Sequence, residues 1–147
     1  MLKLLLAAHL VLAVFAIGPL VHAATTAGRG IRTGDGAATA SSSRVLRIYA
    51  YVSVLVVLAG LALMSQKRSG RRLAEIGDTW IWLSVVLWLV AVGIVLAVIV
   101  PTLDKATRLI EGQSSVVTMT GRVAAAGGVV ALIMLSIVVL MVYKPGG

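Results

Sequence analysis

The chain has 147 residues, of which 60% are apolar and only 12% charged, with a formal net charge of +8 and no cysteine. Soluble domains run at roughly 45–50% apolar and ~25% charged, so an ordinary water-soluble domain is excluded. The missing cysteines remove disulfides, thiolate metal sites and a cysteine nucleophile, and the basic excess lacks the interleaved aromatics of a nucleic-acid surface, since only Tyr49 has close basic neighbours.

Four stretches, 4–27, 48–65, 79–103 and 123–143, lack Asp, Glu, Lys and Arg. About 18 such residues suffice to cross hydrocarbon. The pattern predicts an all-α membrane protein, four transmembrane helices in an up-down bundle forming a single domain. The expected spans are about 4–24, 45–65, 79–101 and 122–143. The basic residues then lie at helix ends, where they meet anionic lipid headgroups.

The first stretch begins Met1-Leu2-Lys3 and passes Val21-His22-Ala23, which resembles a secretory signal with a small-residue cleavage site. Its run of about 20 residues exceeds the ~7–15 of a signal core. It also contains His9 and Gly18-Pro19. An uncleaved first span is therefore expected, kinked near Pro19, which cannot donate to the Phe15 carbonyl. Residues 25–43, TTAGRGIRTGDGAATASSS, are rich in Gly, Ser, Thr and Ala and read as a flexible loop. The second span opens at an interface marked by Arg44, Arg47, Tyr49 and Tyr51. Its Ala59, Gly60 and Ala62 are small enough for a close neighbour.

Residues 66–78 form a basic loop with Lys67, Arg68, Arg71 and Arg72 against Glu75 and Asp78. It reads as a solvated turn that also offers charge to anionic lipid. Asp78 or Thr79 is placed to cap the third span. Trp80 and Trp82 form an aromatic belt. Trp88 lies deeper, so its indole N–H requires a partner or a packed neighbour. Gly93 and Ala97 make a small-xxx-small step. Pro101 ends the apolar run, and 102–111 is predicted as a short amphipathic helical extension closed by Gly112, with Leu103, Leu109 and Ile110 on the membrane.

The last span carries Ala124 and Gly128, and Gly127 and Ala131, each pair four apart, which suits close packing against a helix of this chain or of a second copy. With four spans, one side of the membrane holds Lys3, Lys67, Arg68, Arg71, Arg72 and Lys144. The other holds Arg29, Arg32, Arg44, Arg47, Lys105, Arg108 and Arg122. Six against seven leaves orientation undecided by the positive-inside rule.

Several strings in order resemble a family of bacterial four-helix integral membrane proteins with a domain of unknown function. They are Lys3-Leu-Leu-Leu-Ala-Ala-His9, Gly18, Arg32-Thr-Gly-Asp35, Ala59-Gly60-Leu61-Ala62-Leu63-Met64, the Trp-rich start of helix three through Pro101, and Leu140-Met-Val-Tyr-Lys-Pro145. The resemblance implies a bacterial inner-membrane location. In that family the loops after helices one and three are the basic cytoplasmic ones, which implies both termini outside. This chain departs from it by also carrying the basic 67–72 segment. His9 and the Lys-Pro ending are similar, more distantly, to the HemJ-like protoporphyrinogen oxidases and the CopD-like copper-resistance proteins, and the former imply His9 as an axial ligand of haem b.

His9 is the only ionisable side chain deep inside a hydrophobic run, which makes it a functional candidate by default. The competing reading is structural: about five residues from the helix start, ~7–8 Å deep, it can bond a carbonyl near the interface. His22 does not complete a pair, because thirteen residues separate the two by ~20 Å along the axis on nearly opposite faces. Met64, Met134 and Met141 are candidate second ligands, though methionine in a membrane helix is usually filler. No P-loop, dinucleotide turn or HExxH occurs, and the five acids lie outside the four expected spans. The reading favoured is a non-enzymatic accessory or scaffold subunit acting on other membrane subunits or a second copy. A haem-binding redox protein comes next, and a small-solute or metal permease third.

Overall fold

The computed structural model describes residues 1–146 except Ser69 and Leu73, with the backbone alone for Arg68, Arg71 and Arg72. Four helices in it are long and apolar enough to span a membrane. Helix α1 covers Leu2–Thr33 and α2 covers Gly36–Met64. The third span comprises α3 (Thr79–Ile94), a π-helical turn (Val95–Ile99) and α4 (Val100–Glu111), and the fourth is α5 (Met119–Tyr143). The chain is an all-α, multi-pass membrane protein. Between α2 and α3 a small antiparallel hairpin pairs β1 (Lys67–Arg68) with β2 (Arg71–Arg72), turning at Gly70 with φ 84°.

Helix α1 packs on both α2 and α5. The third span divides its contacts: α3 lies against α5, whereas α4 lies against α2. Leu20, Ile31, Leu46, Ile99, Leu103, Val123 and Val130 are fully buried where these elements meet. At 1.5 Å per residue, the 32 residues of α1 and the 33 of the third span reach nearly 50 Å. The hydrocarbon layer is only ~30 Å thick. The surplus collects at one end, where the end of α1, the start of α2, α4 and the start of α5 form a helical head.

That head overturns the expected flexible loop at 25–43. Residues 25–33 continue α1, and α2 begins at Gly36. Only Gly34 and Asp35 turn the chain. Gly34 takes φ 64°, its N–H donates to Ile31 (3.2 Å), and the Asp35 N–H donates to Gly30 (2.9 Å). These are the two reverse bonds of a glycine-closed helix end. Asp35 then starts the next helix, its Oδ1 accepting from the Ala38 N–H at 3.0 Å. The small residues serve close packing rather than flexibility. A Cβ on Gly30 would lie 3.1 Å from Ala38, and from the side chain and backbone nitrogen of Thr39.

The third span continues past Pro101 into the expected helical extension, because the π turn just before the proline loosens the helix where its ring would collide. There the Val100 N–H bonds Val95, and the Thr102 hydroxyl donates to the Val98 carbonyl at 2.6 Å. The amphipathic extension exists as α4, but it stands on the bundle instead of lying on the membrane. Leu103 is fully buried, and Leu109 and Ile110 pack against the core. In α1, Pro19 sits inside an uninterrupted helix.

Candidate functional site

Three polar constellations tie the helices together. The first is a seam between α1 and α2. His9 lies on the inward stripe of α1 that continues through Ala16, Leu20 and Ala27, and it is 8% exposed. Its imidazole fits against α2 because position 60 has no side chain. A Cβ there would stand 3.2 Å from Cε1, 3.6 Å from Nδ1 and 3.9 Å from Nε2. Nδ1 is enclosed and has no hydrogen-bond partner among the described residues. The ring edge carrying both nitrogens thus faces a helix backbone.

The second constellation joins α2 to α3. The Trp88 indole N–H donates to Ser53 Oγ at 3.0 Å, and the Ser53 hydroxyl in turn donates to the Ala50 carbonyl at 2.6 Å. Ser53 is fully buried. This pair meets the need that the depth of Trp88 created. Both groups are satisfied, so neither is left to solvate a passing ion.

The third lies in the head and centres on Asp104 of α4. Its carboxylate accepts from the Ser43 hydroxyl and from Arg47, whose Nη2 lies 2.8 Å away. One turn along, the Thr39 and Thr107 hydroxyls meet at 2.7 Å. Thr39, Ser43 and Arg47 recur every four residues and so share one face of α2; Asp104 and Thr107 share one face of α4. Sequence reading missed this knot, because it placed 39 and 43 in a loop and 104 on a membrane-lying helix. The four-residue spacing was the available signal.

The expected packing residues fall into two groups. Gly127 packs against α1 of the same chain so closely that a Cβ would overlap the Ala24 carbonyl, standing 2.8 Å from its carbon. Ala124 meets Gly28, and Ala131 is half-buried. Gly93, Ala97 and Gly128 face outward, and a Cβ on either glycine would meet nothing within 4 Å. At the interfaces, Arg44, Arg47 and Tyr51 are exposed and Tyr49 is half-buried. Trp82 donates to the Ile76 carbonyl at 2.6 Å. The ring of Trp80 has the Lys144 ammonium 5.5 Å from its centre. Lys67 is exposed, whereas the side chains of Arg68, Arg71 and Arg72 lie outside the described residues. His22 is exposed on α1, and no group of three or more His, Cys, Asp or Glu suited to a metal occurs among the described residues.

No family model matches the chain, and no curated protein or solved structure matches it.

Proposed function

We propose that this protein is a non-enzymatic membrane subunit that holds a partner helix against its outer faces, with its basic head on the cytoplasmic side. The observation that carries this reading is the fate of the small residues. Gly60 and Gly127 are used inside the bundle, but Gly93, Ala97 and Gly128 face outward with nothing over them. Small residues let membrane helices approach to backbone contact, and lipid gains nothing from them. Between 17% and 28% of each span's most apolar window is buried, which leaves ample surface for a partner. The interior supports the same reading, since the mid-membrane Ser53–Trp88 pair is internally satisfied.

Because the chain has no cysteine, single cysteines report cleanly. Cysteines at positions 93 and 128 should cross-link to a partner or a second copy in native membranes. A cysteine at Val14, on the outer face of α1 and 68% exposed, should not. Equal yields at all three positions would end this reading.

A second reading, haem b ligation by His9, draws on the enclosed Nδ1 with no partner. The seam fits it poorly. The nitrogen-bearing edge faces α2 at Gly60, and His22 is exposed well along the same helix. Purified protein without a Soret band would dismiss it; a band lost on His9→Ala would reinstate it.

A further inference from the structure

A cleft of about 360 Å³ opens between α2 and α4 on the outer side of the Asp104 knot. It is lined from α2 by Ser43, Arg44, Arg47 and Ile48, and from α4 by Asp104 and Arg108. Three guanidinium groups thus meet one carboxylate. That carboxylate is already engaged, accepting from Ser43 and Arg47. Arg44 and Arg108 have no carboxylate within ion-pair distance among the described residues. The cleft therefore carries a surplus of about two positive charges, held on side chains whose planar forks match phosphate oxygens.

We infer that this cleft binds the phosphate of an anionic glycerophospholipid. Arg44 and Arg108 supply the charge, and the outward face of α2 supplies the acyl track. The choice of a lipid over a soluble anion rests on what lies below the arginines. Ile48 forms part of the lining and is 50% exposed. From it an apolar ridge descends α2 through Tyr51, Leu55 and Leu58, which are 63%, 51% and 55% exposed. Spacings of three and four residues keep them on one face with Arg44. A phosphate seated between the two arginines would have its glycerol at the level of the tyrosines and a chain along the ridge. Clefts with basic walls between membrane helices are suited to anionic headgroups, and this volume lies within the ~300–1,000 Å³ of small-molecule sites.

The full chain, delipidated in a neutral detergent, can be titrated with phosphatidylglycerol, phosphatidylcholine or inorganic phosphate and read by native mass spectrometry. Phosphatidylglycerol should bind roughly tenfold or more tightly than phosphatidylcholine. The double variant Arg44→Gln/Arg108→Gln should lose about that factor, while Lys67→Gln on the opposite end changes it less than about twofold. Equal binding of the two lipids, or undiminished binding by the double variant, would overturn the inference. Inorganic phosphate binding as tightly as the lipid would also overturn it, assigning the cleft to a soluble anion. A measurement on the unaltered chain guards against a poorly folding variant. Raising NaCl from about 50 to about 500 mM should weaken phosphatidylglycerol and leave phosphatidylcholine unchanged. Salt-insensitive phosphatidylglycerol binding would refute the role of the arginines.

Discussion

Gly127 and Gly128 are neighbours in the chain and face opposite surroundings. A methyl group on Gly127 would overlap the Ala24 carbonyl, and one on Gly128 would enter open space. Helix backbones cannot yield as a long side chain can, so Gly127→Ala should destabilise the protein by about 1–3 kcal/mol. Gly128→Ala should be neutral, or stabilising by up to ~1 kcal/mol through helix propensity. Thermal unfolding in detergent distinguishes them, and equal effects would contradict the α1–α5 crossing. Gln113 offers a change of the opposite sign. It follows α4 at φ 57°, with its N–H donating to Ile110 (2.9 Å) and that of Ser114 to Leu109 (2.8 Å). This is the glycine-type helix end made by a residue with a side chain, at a cost of about 1 kcal/mol. Gln113→Gly should raise stability by a similar amount, and a lower melting temperature would show that the glutamine side chain contributes something the geometry does not reveal.

Between elements, the few polar contacts decide which helices move together. Helix α3 leans on α5 and α4 on α2, and the Asp104 knot adds polar contacts to the apolar packing that holds the end of the third span on the hairpin of α1 and α2. The Arg47–Asp104 pair is partly exposed, with side chains 53% and 37% accessible, and is worth about 1 kcal/mol or less; the Ser43 hydroxyl adds a second contact of similar size. Asp104→Ala should therefore accelerate hydrogen exchange over α4 while leaving α3 protected, and a uniform change along the third span would show that the knot does not act locally. Elements are also where sequence reading met its limit. The four spans follow from hydrophobic length, and the need for a partner at Trp88 from its depth, though not that the partner is Ser53. Residues 25–43 were misjudged because Gly, Ala, Ser and Thr serve flexible linkers in water and tight helix seams in membrane proteins alike. Composition cannot separate those uses. The Gly34-Asp35 stop-and-start pair could have, since it supplies a left-handed helix end and a cap in adjacent residues. The π turn at Val95–Ile99 left no comparable mark beyond Pro101 itself. His9 was legible as the odd residue of its span, but its neighbour Gly60 was not, because nothing local links position 9 to position 60.

The molecule as a whole has two basic ends of nearly equal count and different build. Seven cations lie on the helical head and its edges, from Arg29 to Arg122, and six lie at the end with the termini and the β1–β2 hairpin. Retention of positive charge on the cytoplasmic side sets orientation through the difference between ends, not through either total. A margin of one makes the head-inside orientation proposed above sensitive to small edits. Arg29 and Arg32 are both exposed on the last turns of α1, apart from the Asp104 knot and the α2–α4 cleft, so replacing them leaves the packing intact. Arg29→Gln/Arg32→Gln turns seven against six into five against six. A single cysteine at Ser41, exposed on the head, should resist a membrane-impermeant maleimide in intact cells carrying the parent chain, and become labelled in a substantial fraction of molecules carrying the double variant. Labelling of Ser41→Cys in the parent would invert the proposed orientation. Protection unchanged by the double substitution would mean that something other than the balance of cations, such as the order in which the hairpin of α1 and α2 inserts, fixes the topology.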